Sequence, residues 1–522
     1  MIYKESIQDA ISMHDLPAEW SPELLKEADL IANKTKKTKY RKDLTNLPFA
    51  TIDGADAKDF DDAIYCQKNS NGFSLYVAIA DVSFYVEVGS KLDREALKRG
   101  TSIYFPGTVV PMLPERLSND VCSLRPNEDR CAMVCEMSLD ASGQRLKYKF
   151  YSALINSKAR LTYKQVESHI TNAQSIKGPE VIQSINDLEK LTTSRLKIRQ
   201  SRSALEINPK EAILELTPKQ EVKKIIVKKP MRAHKLVEES MLLANECAAE
   251  FMQDRFDFGV FRIHEDPDPS KLEVLKKYFQ IPAQIAKQSS PLQTINYCLK
   301  KASEKKDDSG QILVLQTLAR AEYSTDNLGH FGLQLKQYAH FTSPIRRYPD
   351  LLTHRMINKS LAHKKSSFNK SQLQDMCEES SLLERRAEKA SRQVEQVLIC
   401  SYLKNKIGSD VDGVITGVTD FGLFVNLEAY FISGLLHVSD LPGDRYFLIQ
   451  GTNTLKGKRT GKSFKLGQKL KVKIAAISPL DRKINLVIAM GRDPDYYPEE
   501  KKTYDSRRNF TISSSSVKEN LT

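Results

Sequence analysis

A run of acidic residues near the start of the chain constrains its fold most strongly. Between Asp53 and Asp62, in the string DGADAKDFDD, five aspartates occur within ten residues and only Lys58 offsets them. Ionised carboxylates this close repel one another, so folding them together requires bound cations or raised pKa values. The run is not a calcium-binding EF-hand loop, because Ala55 and Ala57 occupy positions where that loop needs oxygen ligands. The alternative is a solvated acidic turn.

Four of these aspartates have a spacing that suits hard divalent cations. Mg²⁺ and Mn²⁺ favour carboxylate and water oxygens as ligands. A strand-like segment, LYVAIADV at 75–82, follows shortly after the run. We therefore expect Mg²⁺ as the cofactor, with Mn²⁺ as the alternative, and the candidate ligands are Asp53, Asp59, Asp61 and Asp62.

The charge balance of the chain favours a polyanionic partner. The formal net charge is +13 at pH 7 despite the acidic run. A basic surface around an acidic pocket fits a nucleic-acid enzyme that uses metal ions, although basic faces are often merely solvated. No run of about 18 apolar residues is present, the first residues lack the apolar core of a signal peptide, and the eight cysteines are too sparse for a disulfide framework. These features predict a cytoplasmic protein.

The pattern of residues changes several times along the chain, and the length suggests two to four domains. A polar, helical lead-in over 1–45 contains the expected helix SPELLKEADLIANK, and a strand-rich stretch follows to about 140. Helices are expected over much of 160–260 and 270–405, including HKLVEESMLLANECAAEFM, whose apolar residues recur at helical spacing. Ser343 and Pro344 predict the start of a helix, and Pro349 the start of the next.

The region after residue 406 has the pattern of a small β-barrel. Short alternating strands with glycine turns over 406–490 have the spacing of a five-stranded OB-fold. The strings GVTDFGLFVNL and GLLHVSDL closely resemble the S1 RNA-binding domain. Phe421, Phe424 and His437 are the candidates for stacking on RNA bases, and the alternative, above all for Phe424, is a place in the barrel core.

Two further strings contain residues suited to binding a nucleic acid. In HFTSPIRRYPDLLTHR, Arg346 and Arg347 follow a Ser-Pro turn, and arginine forks pair with phosphate oxygens. Surface salt bridges are the alternative for these arginines. In RGTSIYFPGTVVPMLPERLS, Tyr104 lies at a strand end before a Pro-Gly turn, where its ring is either a clamp for a base or a packed core tyrosine.

Taken in order, these strings resemble the ribonuclease II/ribonuclease R family, and its ribonuclease R branch most closely. The matching strings are TIDGADAKDFDDAI, VAIADVSFYV, RGTSIYFPGTVVPMLPERLSN, GHFGL and YAHFTSPIRRYPDL, followed by the S1 pattern. The resemblance implies an α/β (mixed α+β) RNB nuclease domain with a funnel-shaped channel over 46–400. A small all-β OB-fold (S1) barrel follows over 406–490, and the tail, 491–522, is expected to be disordered.

The resemblance also implies an activity and a role for each candidate residue. It implies a processive 3′→5′ exoribonuclease of RNA decay and quality control, hydrolysing RNA to nucleoside 5′-monophosphates by a two-metal mechanism. The expected partner is single-stranded RNA with a free 3′ end, or structured RNA with a 3′ overhang, and the expected state is a monomer. The resemblance implies that metal is bound by Asp53, Asp59, Asp61 and Asp62, with Asp61 the most directly catalytic. It implies that Tyr104 stacks near the 3′ end and that Arg346 contacts the scissile phosphate, with Arg347 as its neighbour. Contact with the terminal nucleotides is implied for Glu239, or for the adjacent Glu238.

The N-terminal part departs from the family pattern. Ribonuclease R-like proteins usually have two cold-shock domains before the nuclease domain, and residues 1–45 are too few for one OB-fold. They resemble the end of the second cold-shock domain and its linker, as expected of a truncated or naturally short form. This departure supports an alternative function, a catalytically inactive RNA-binding protein on a truncated nuclease scaffold. An S1 protein of translation is a third hypothesis, and it leaves the acidic run unexplained.

Overall fold

The computed structural model describes most of the chain. The described residues are 2–33, 40–172, 174, 176–207, 212–227, 230–282, 284, 288–305, 307–449 and 454–489. The tail expected to be disordered, 491–522, lies outside them. The described helices are α1 (Ile2–Met13), α2 (Pro22–Ala32), α3 (Val82–Tyr85), α4 (Lys91–Arg99), α5 (Tyr163–Ile170), α6 (Pro179–Ser201), α7 (Arg232–Arg255), α8 (Pro269–Tyr278), α9 (Pro291–Lys305), α10 (Asp308–Thr317), α11 (Tyr348–Leu361) and α12 (Lys370–Leu403).

The strands form one large sheet, one barrel and several small sheets. In chain order they are β1 (Lys42–Asp43), β2 (Ala50–Asp53), β3 (Asp62–Asn69), β4 (Gly72–Ala80), β5 (Ile103–Phe105), β6 (Thr108–Val110), β7 (Asp129–Leu139), β8 (Arg145–Asn156), β9 (Ala159–Thr162), β10 (Ala212–Leu216), β11 (Val222–Val227), β12 (Phe261–Ile263), β13 (Glu322–Ser324), β14 (Asp410–Val418), β15 (Gly422–Leu427), β16 (Ile432–His437), β17 (Tyr446–Ile449), β18 (Thr454–Gly457), β19 (Ser463–Lys465), β20 (Lys469–Ser478) and β21 (Lys483–Ile488).

A seven-stranded mixed sheet is the centre of the nuclease part. Its strand order is β1-β8-β7-β4-β3-β2-β9, with β1 parallel to β8 and β2 parallel to β9. Most residues of β7, an inner strand beside the central β4, are buried, because apolar clusters cover both faces of the sheet, one of them involving α6 and α7. This arrangement confirms the predicted mixed α/β fold.

The acidic run forms the connection between two neighbouring strands of this sheet. β2 ends at Asp53 and β3 begins at Asp62, and the two strands are antiparallel. On its other side β2 pairs with β9, which places Thr162 opposite Asp53. The aspartates and the first turn of α5 therefore lie at the same edge of the sheet.

The prediction that a helix begins at Ser343 and Pro344 is wrong. These residues form a turn, and α11 begins only at Tyr348, with Pro349 in its first turn as expected. The reason is that Ser343 is held in another role: its backbone N–H donates to the buried carboxylate of Asp350 at 2.8 Å, and its hydroxyl accepts from Arg346 at 2.9 Å. The other expected helices are confirmed by α2, capped by Ser21, and by α7.

The C-terminal barrel is closed and has the five strands that the sequence predicts, in the order β14-β15-β16-β21-β20. A separate three-stranded sheet, β17-β18-β19, is inserted between β16 and β20. That sheet was not expected.

The cysteines and helices also bear on expectations about the cell. All eight cysteines are buried free thiols. Among the described helices, none combines the length and hydropathy that a membrane crossing demands.

Candidate active site

Asp61 lies at the centre of the site and its carboxylate is buried. Its Oδ1 accepts a hydrogen bond from the backbone N–H of Ile345 at 2.9 Å, and its Oδ2 lies 3.3 Å from Nε of Arg346. Burial raises the pKa of Asp61 well above its ordinary value, and the charge of Arg346 opposes that shift. Both oxygens of Asp61 therefore hold the segment that carries the arginine.

The two adjacent arginines have different surroundings. The side chain of Arg346 is 42% exposed, and its carbonyl oxygen accepts hydrogen bonds from Ser102 N–H at 3.0 Å and Thr101 Oγ1 at 2.9 Å. Arg347 instead pairs with the buried Asp350, with Nη2 2.7 Å from Oδ1. Of these two arginines, Arg346 is therefore the one that presents its guanidinium beside the acidic run.

Tyr104 lies on β5 with 43% of its surface exposed. Its hydroxyl donates to Asp59 Oδ2 at 3.2 Å, and its carbonyl oxygen accepts from Ser391 Oγ at 2.6 Å. The hydroxyl of the side chain and the backbone of the residue are therefore both held, while part of the ring stays open to a ligand. Tyr104 is thus not a packed core tyrosine.

The carboxylates of Asp53 and Asp62 lie near each other, at the end of β2 and the start of β3. The pKa of Asp62 is raised to about 7, chiefly by burial and then by the negative charge of Asp53. In the described part of the chain, Asp62 Oδ2 is buried and has no hydrogen-bond partner. An unsatisfied buried carboxylate oxygen costs free energy, which a bound cation would offset.

The four predicted metal ligands do not converge on one point. Among the described residues, no group of three or more His, Cys, Asp or Glu side chains is placed to hold one metal ion. Mg²⁺, however, usually binds through one or two carboxylates, waters and substrate phosphates rather than through an all-protein cage. The oxygen-only donors and the unsatisfied oxygen of Asp62 fit such an ion.

Two residues of this site were missed by the sequence analysis. Tyr163, at the start of α5, lies beside Asp53 and Asp62, whose charges add to burial in raising the pKa of its hydroxyl. Arg160 donates from Nη2 to the carbonyl oxygens of Gly54 and Ala55, at 2.8 and 2.6 Å, and so holds the acidic loop. Only the parallel pairing of β9 with β2 brings these residues to the site, and the string ARLTY alone does not reveal that pairing.

Glu239 lies inside α7 rather than at an open surface. It is buried, and its Oε1 lies 3.1 Å from Nη1 of Arg199. Glu238 is more exposed and pairs with Arg199 at 2.5 Å and Lys235 at 2.7 Å. The predicted contact of Glu239 with terminal nucleotides stays a prediction.

The S1 candidates lie together on the outside of the barrel. Phe421 is 45% and Phe424 is 38% exposed, and their rings meet edge to face with centroids 6.0 Å apart. His437, also exposed, is paired with Gly422 on the neighbouring strand. Phe424 is therefore outside the barrel core.

Comparison with known proteins matches both parts of the chain. The model of the RNB domain matches residues 41–363, and that of the S1 RNA binding domain matches residues 404–488. Ribonuclease R of Buchnera aphidicola subsp. Schizaphis graminum is 40% identical over 507 residues, covering 93% of this chain and 69% of that protein. Ribonuclease R of Vibrio cholerae is 39% identical, covering 92% of this chain and 61% of that protein.

A solved structure has the same fold. Mycoplasma genitalium RNase R in complex with ribose-methylated single-stranded RNA has a TM-score of 0.89 and 31% identity, covering 93% of this chain and 78% of that one. The same protein in complex with double-stranded RNA gives a TM-score of 0.83 at 28% identity, covering 93% and 83%. By sequence and by fold, the chain belongs to the RNB-domain family, together with ribonuclease R.

Proposed function

We propose that the chain is a hydrolytic 3′→5′ exoribonuclease that processively releases nucleoside 5′-monophosphates. The observation that carries this proposal is the pairing of Asp61 with Arg346, 3.3 Å apart, beside the exposed ring of Tyr104. A cation held next to carboxylates suits a phosphodiester, because the guanidinium offsets phosphate charge while the carboxylates handle cations and water. The single-stranded RNA bound by the Mycoplasma relative supports RNA as the substrate.

Membership of the RNB family implies dependence on a divalent metal, and we propose Mg²⁺, with Mn²⁺ as the alternative. The residues proposed to hold it are Asp53 and Asp62, with Asp59 and Asp61 beside them. Metal ions bound there would lower the pKa of the attacking water and stabilise the charge on the departing 3′ oxygen, as in a two-metal site.

The protein's own groups would orient the RNA end. Arg346, fixed through Asp61 and through its own carbonyl, contacts the scissile phosphate and stabilises the charge that builds on it. The ring of Tyr104 stacks on a base near the 3′ end and so sets the length of the last product that is not cleaved. Tyr163, beside Asp53 and Asp62, is a further candidate for contact with the terminal nucleotide.

Upstream RNA is proposed to contact the S1 barrel. Phe421, Phe424 and His437 are exposed side chains on which successive bases can stack. In this proposal the nuclease domain extends over 46–400 and the S1 domain over 406–490. Glu239 and Arg347, both held in ion pairs, support the walls of the RNA site.

We also propose a setting for this activity in the cell. The substrates are single-stranded RNA with a free 3′ end and structured RNA with a 3′ overhang, in RNA decay and quality control, and the protein acts as a monomer. A cytoplasmic location is supported by the eight free thiols, since a reducing compartment keeps cysteines in this form.

The test is a product analysis with an end-labelled RNA. A single strand and a duplex with a 3′ overhang, labelled at the 5′ end in one set of reactions and at internal phosphates in a parallel set, are incubated with Mg²⁺ or Mn²⁺ and sized on a gel. We expect the full-length RNA to be converted with few intermediates into a short fragment that keeps the 5′ end, while mononucleotides accumulate. The Asp61→Asn variant should abolish release and retain RNA binding, whereas the control Asp326→Asn, an exposed residue, should behave like the unmodified chain.

One result would overturn the proposal. If the unmodified chain binds RNA but yields no mononucleotides with any divalent metal, it is an inactive RNA-binding protein on a nuclease scaffold.

A further inference from the structure

The inserted sheet β17-β18-β19 has one face on the barrel and one face open. Its inner face carries Tyr446, Leu448, Leu455 and Phe464, which pack on the apolar core of the barrel. Because side chains alternate along a strand, the residues between them point outward. The open face therefore belongs to a different sheet from the barrel strand β15, which carries Phe424.

An aromatic ring and a lysine lie side by side on this open face. Phe447 on β17 is 49% exposed and is directly paired with Lys456 on β18, which in turn is paired with Ser463 on β19. In the adjacent row, Lys465 on β19 is paired with Thr454. The open face thus presents one flat apolar ring next to flexible cations.

The charge of the insertion has one sign. Residues 445–465 contain six Lys or Arg residues and no Asp or Glu. None of the six forms a salt bridge within the described part of the chain. The neighbouring Asp444 accepts hydrogen bonds from the backbone N–H groups of Thr460, Arg445 and Arg459. These bonds, above all the one from Thr460, lower the pKa of Asp444 to about 2. The carboxylate of Asp444 therefore faces the backbone of the turn. Among the described residues, the lysine side chains of this segment therefore have no carboxylate within ion-pair distance.

We propose that this open face is a second RNA-contact surface, on which a base of the single strand stacks on Phe447 while phosphates pair with Lys456 and Lys465. The proposal rests on the proposed function for the identity of the polyanion. RNA is favoured over an acidic peptide because the face combines an exposed ring with lysines, and single-stranded nucleic acids bind by stacking bases on rings and pairing phosphates with cations. It contacts nucleotides upstream of the segment that reaches the active site, and it reads no sequence.

The experiment measures RNA affinity in the complete chain with Asp61→Asn, and a gel verifies that the RNA stays intact. Fluorescence anisotropy is recorded with unstructured RNAs of two lengths, one just long enough to reach the active site and one several times longer. Phe447→Ala should weaken binding of the long RNA by about tenfold and leave the short RNA unaffected. The matched control is Leu480→Ala, an equally exposed apolar residue of the barrel at 48%, which should change neither affinity.

The lysines are tested through salt dependence. For the pair Lys456→Gln and Lys465→Gln, the slope of log affinity against log salt for the long RNA should decrease in magnitude by about 1.4, since each phosphate contact in a single strand contributes about 0.7. The control pair Lys364→Gln and Lys365→Gln removes the same charge from another exposed site and should leave the slope unchanged. Unchanged affinity and slope in the test variants would overturn the proposal and leave the face to a protein partner. Since cleavage is not measured, this outcome is separate from a failure of the proposed activity.

Discussion

The backbone N–H of Ser102 donates a hydrogen bond to the carbonyl oxygen of Arg346 at 3.0 Å. The hydroxyl of Thr101 donates to the same oxygen at 2.9 Å, and Thr101 and Arg347 form an isolated β-bridge. The strand that carries Tyr104 is thus fixed to the turn that carries Arg346. In the proposed enzyme, the stacking ring and the phosphate contact keep a constant spacing along the RNA.

The shape of the Arg346 side chain should matter as well as its charge. Its Nε faces Asp61 while its Nη2 donates to Ser343, a geometry that the single ammonium of lysine does not reproduce. We expect Arg346→Lys to lower kcat for mononucleotide release by about a hundredfold, the usual effect of losing one transition-state donor. Steady-state kinetics on a short single-stranded RNA measures this effect.

The control for Arg346 is Arg385→Lys, which changes an arginine paired with Glu322 away from the acidic run. Its kcat should equal that of the unmodified chain. A rise in KM alone for Arg346→Lys, with kcat unchanged, would contradict a contact made only in the transition state.

The ring of Tyr104 should set the length of the final product. In Tyr104→Ala the stacking surface is lost, so we expect a shift in the length of the last RNA fragment on a sequencing gel. In Tyr104→Phe the ring stays and only the hydrogen bond to Asp59 at 3.2 Å is lost, so the final fragment should keep its length. Equal product lengths in all three proteins would show that the ring does not determine this step.

The sequence predicted the site better than it predicted the backbone around it. The spacing of the aspartates and the RR pair identified residues that the fold brings together, because each string already contained the chemistry. The turn at Ser343 was misjudged, since the competing acceptor, Asp350, acts from the first turn of α11. From the sequence alone, nothing indicates that the backbone N–H of Ser343 donates to Asp350, or that its hydroxyl accepts from Arg346 instead of capping a helix.

Long-range pairing accounts for the other omissions. Arg160 and Tyr163 reach the acidic loop through the parallel pairing of β9 with β2, and strands separated by about a hundred residues give no local signal of their partner. The inserted sheet β17-β18-β19 was missed for a different reason: its short strands and basic composition resemble a solvated loop. The barrel itself was predictable, because alternation and glycine turns are local features.

Asp350 should be important for stability. Its fully buried carboxylate accepts from Ser343 N–H and pairs with Arg347 at 2.7 Å, so Asp350→Ala would leave the guanidinium without its counter-charge. We expect a loss of about 3–5 kcal/mol in the free energy of unfolding, the usual cost of breaking a buried pair. Thermal and urea unfolding measure it, and the exposed Asp326→Ala should cost little. A similar small loss for both variants would contradict the role of Asp350.

A half-buried histidine, His330, predicts how stability depends on pH. The pKa of His330 is lowered to about 3, chiefly by burial and then by the charges of His264 and Arg262. In the unfolded chain an ordinary histidine titrates near 6.5, so between these values the unfolded state binds more protons than the folded state. The contribution of His330 is therefore fully present above about pH 6.5 and is lost progressively as the pH falls toward 3.

The free energy of unfolding should accordingly fall on acidification, and His330 should account for about 1 kcal/mol of the loss between pH 7.5 and pH 5.5. Unfolding by urea at the two pH values, for the unmodified chain and for His330→Gln, isolates this part, because glutamine does not titrate. The difference between the two pH values should be smaller in His330→Gln by that amount. The exposed His363→Gln should retain the full difference, and an equal reduction in both variants would exclude burial of His330 as the cause.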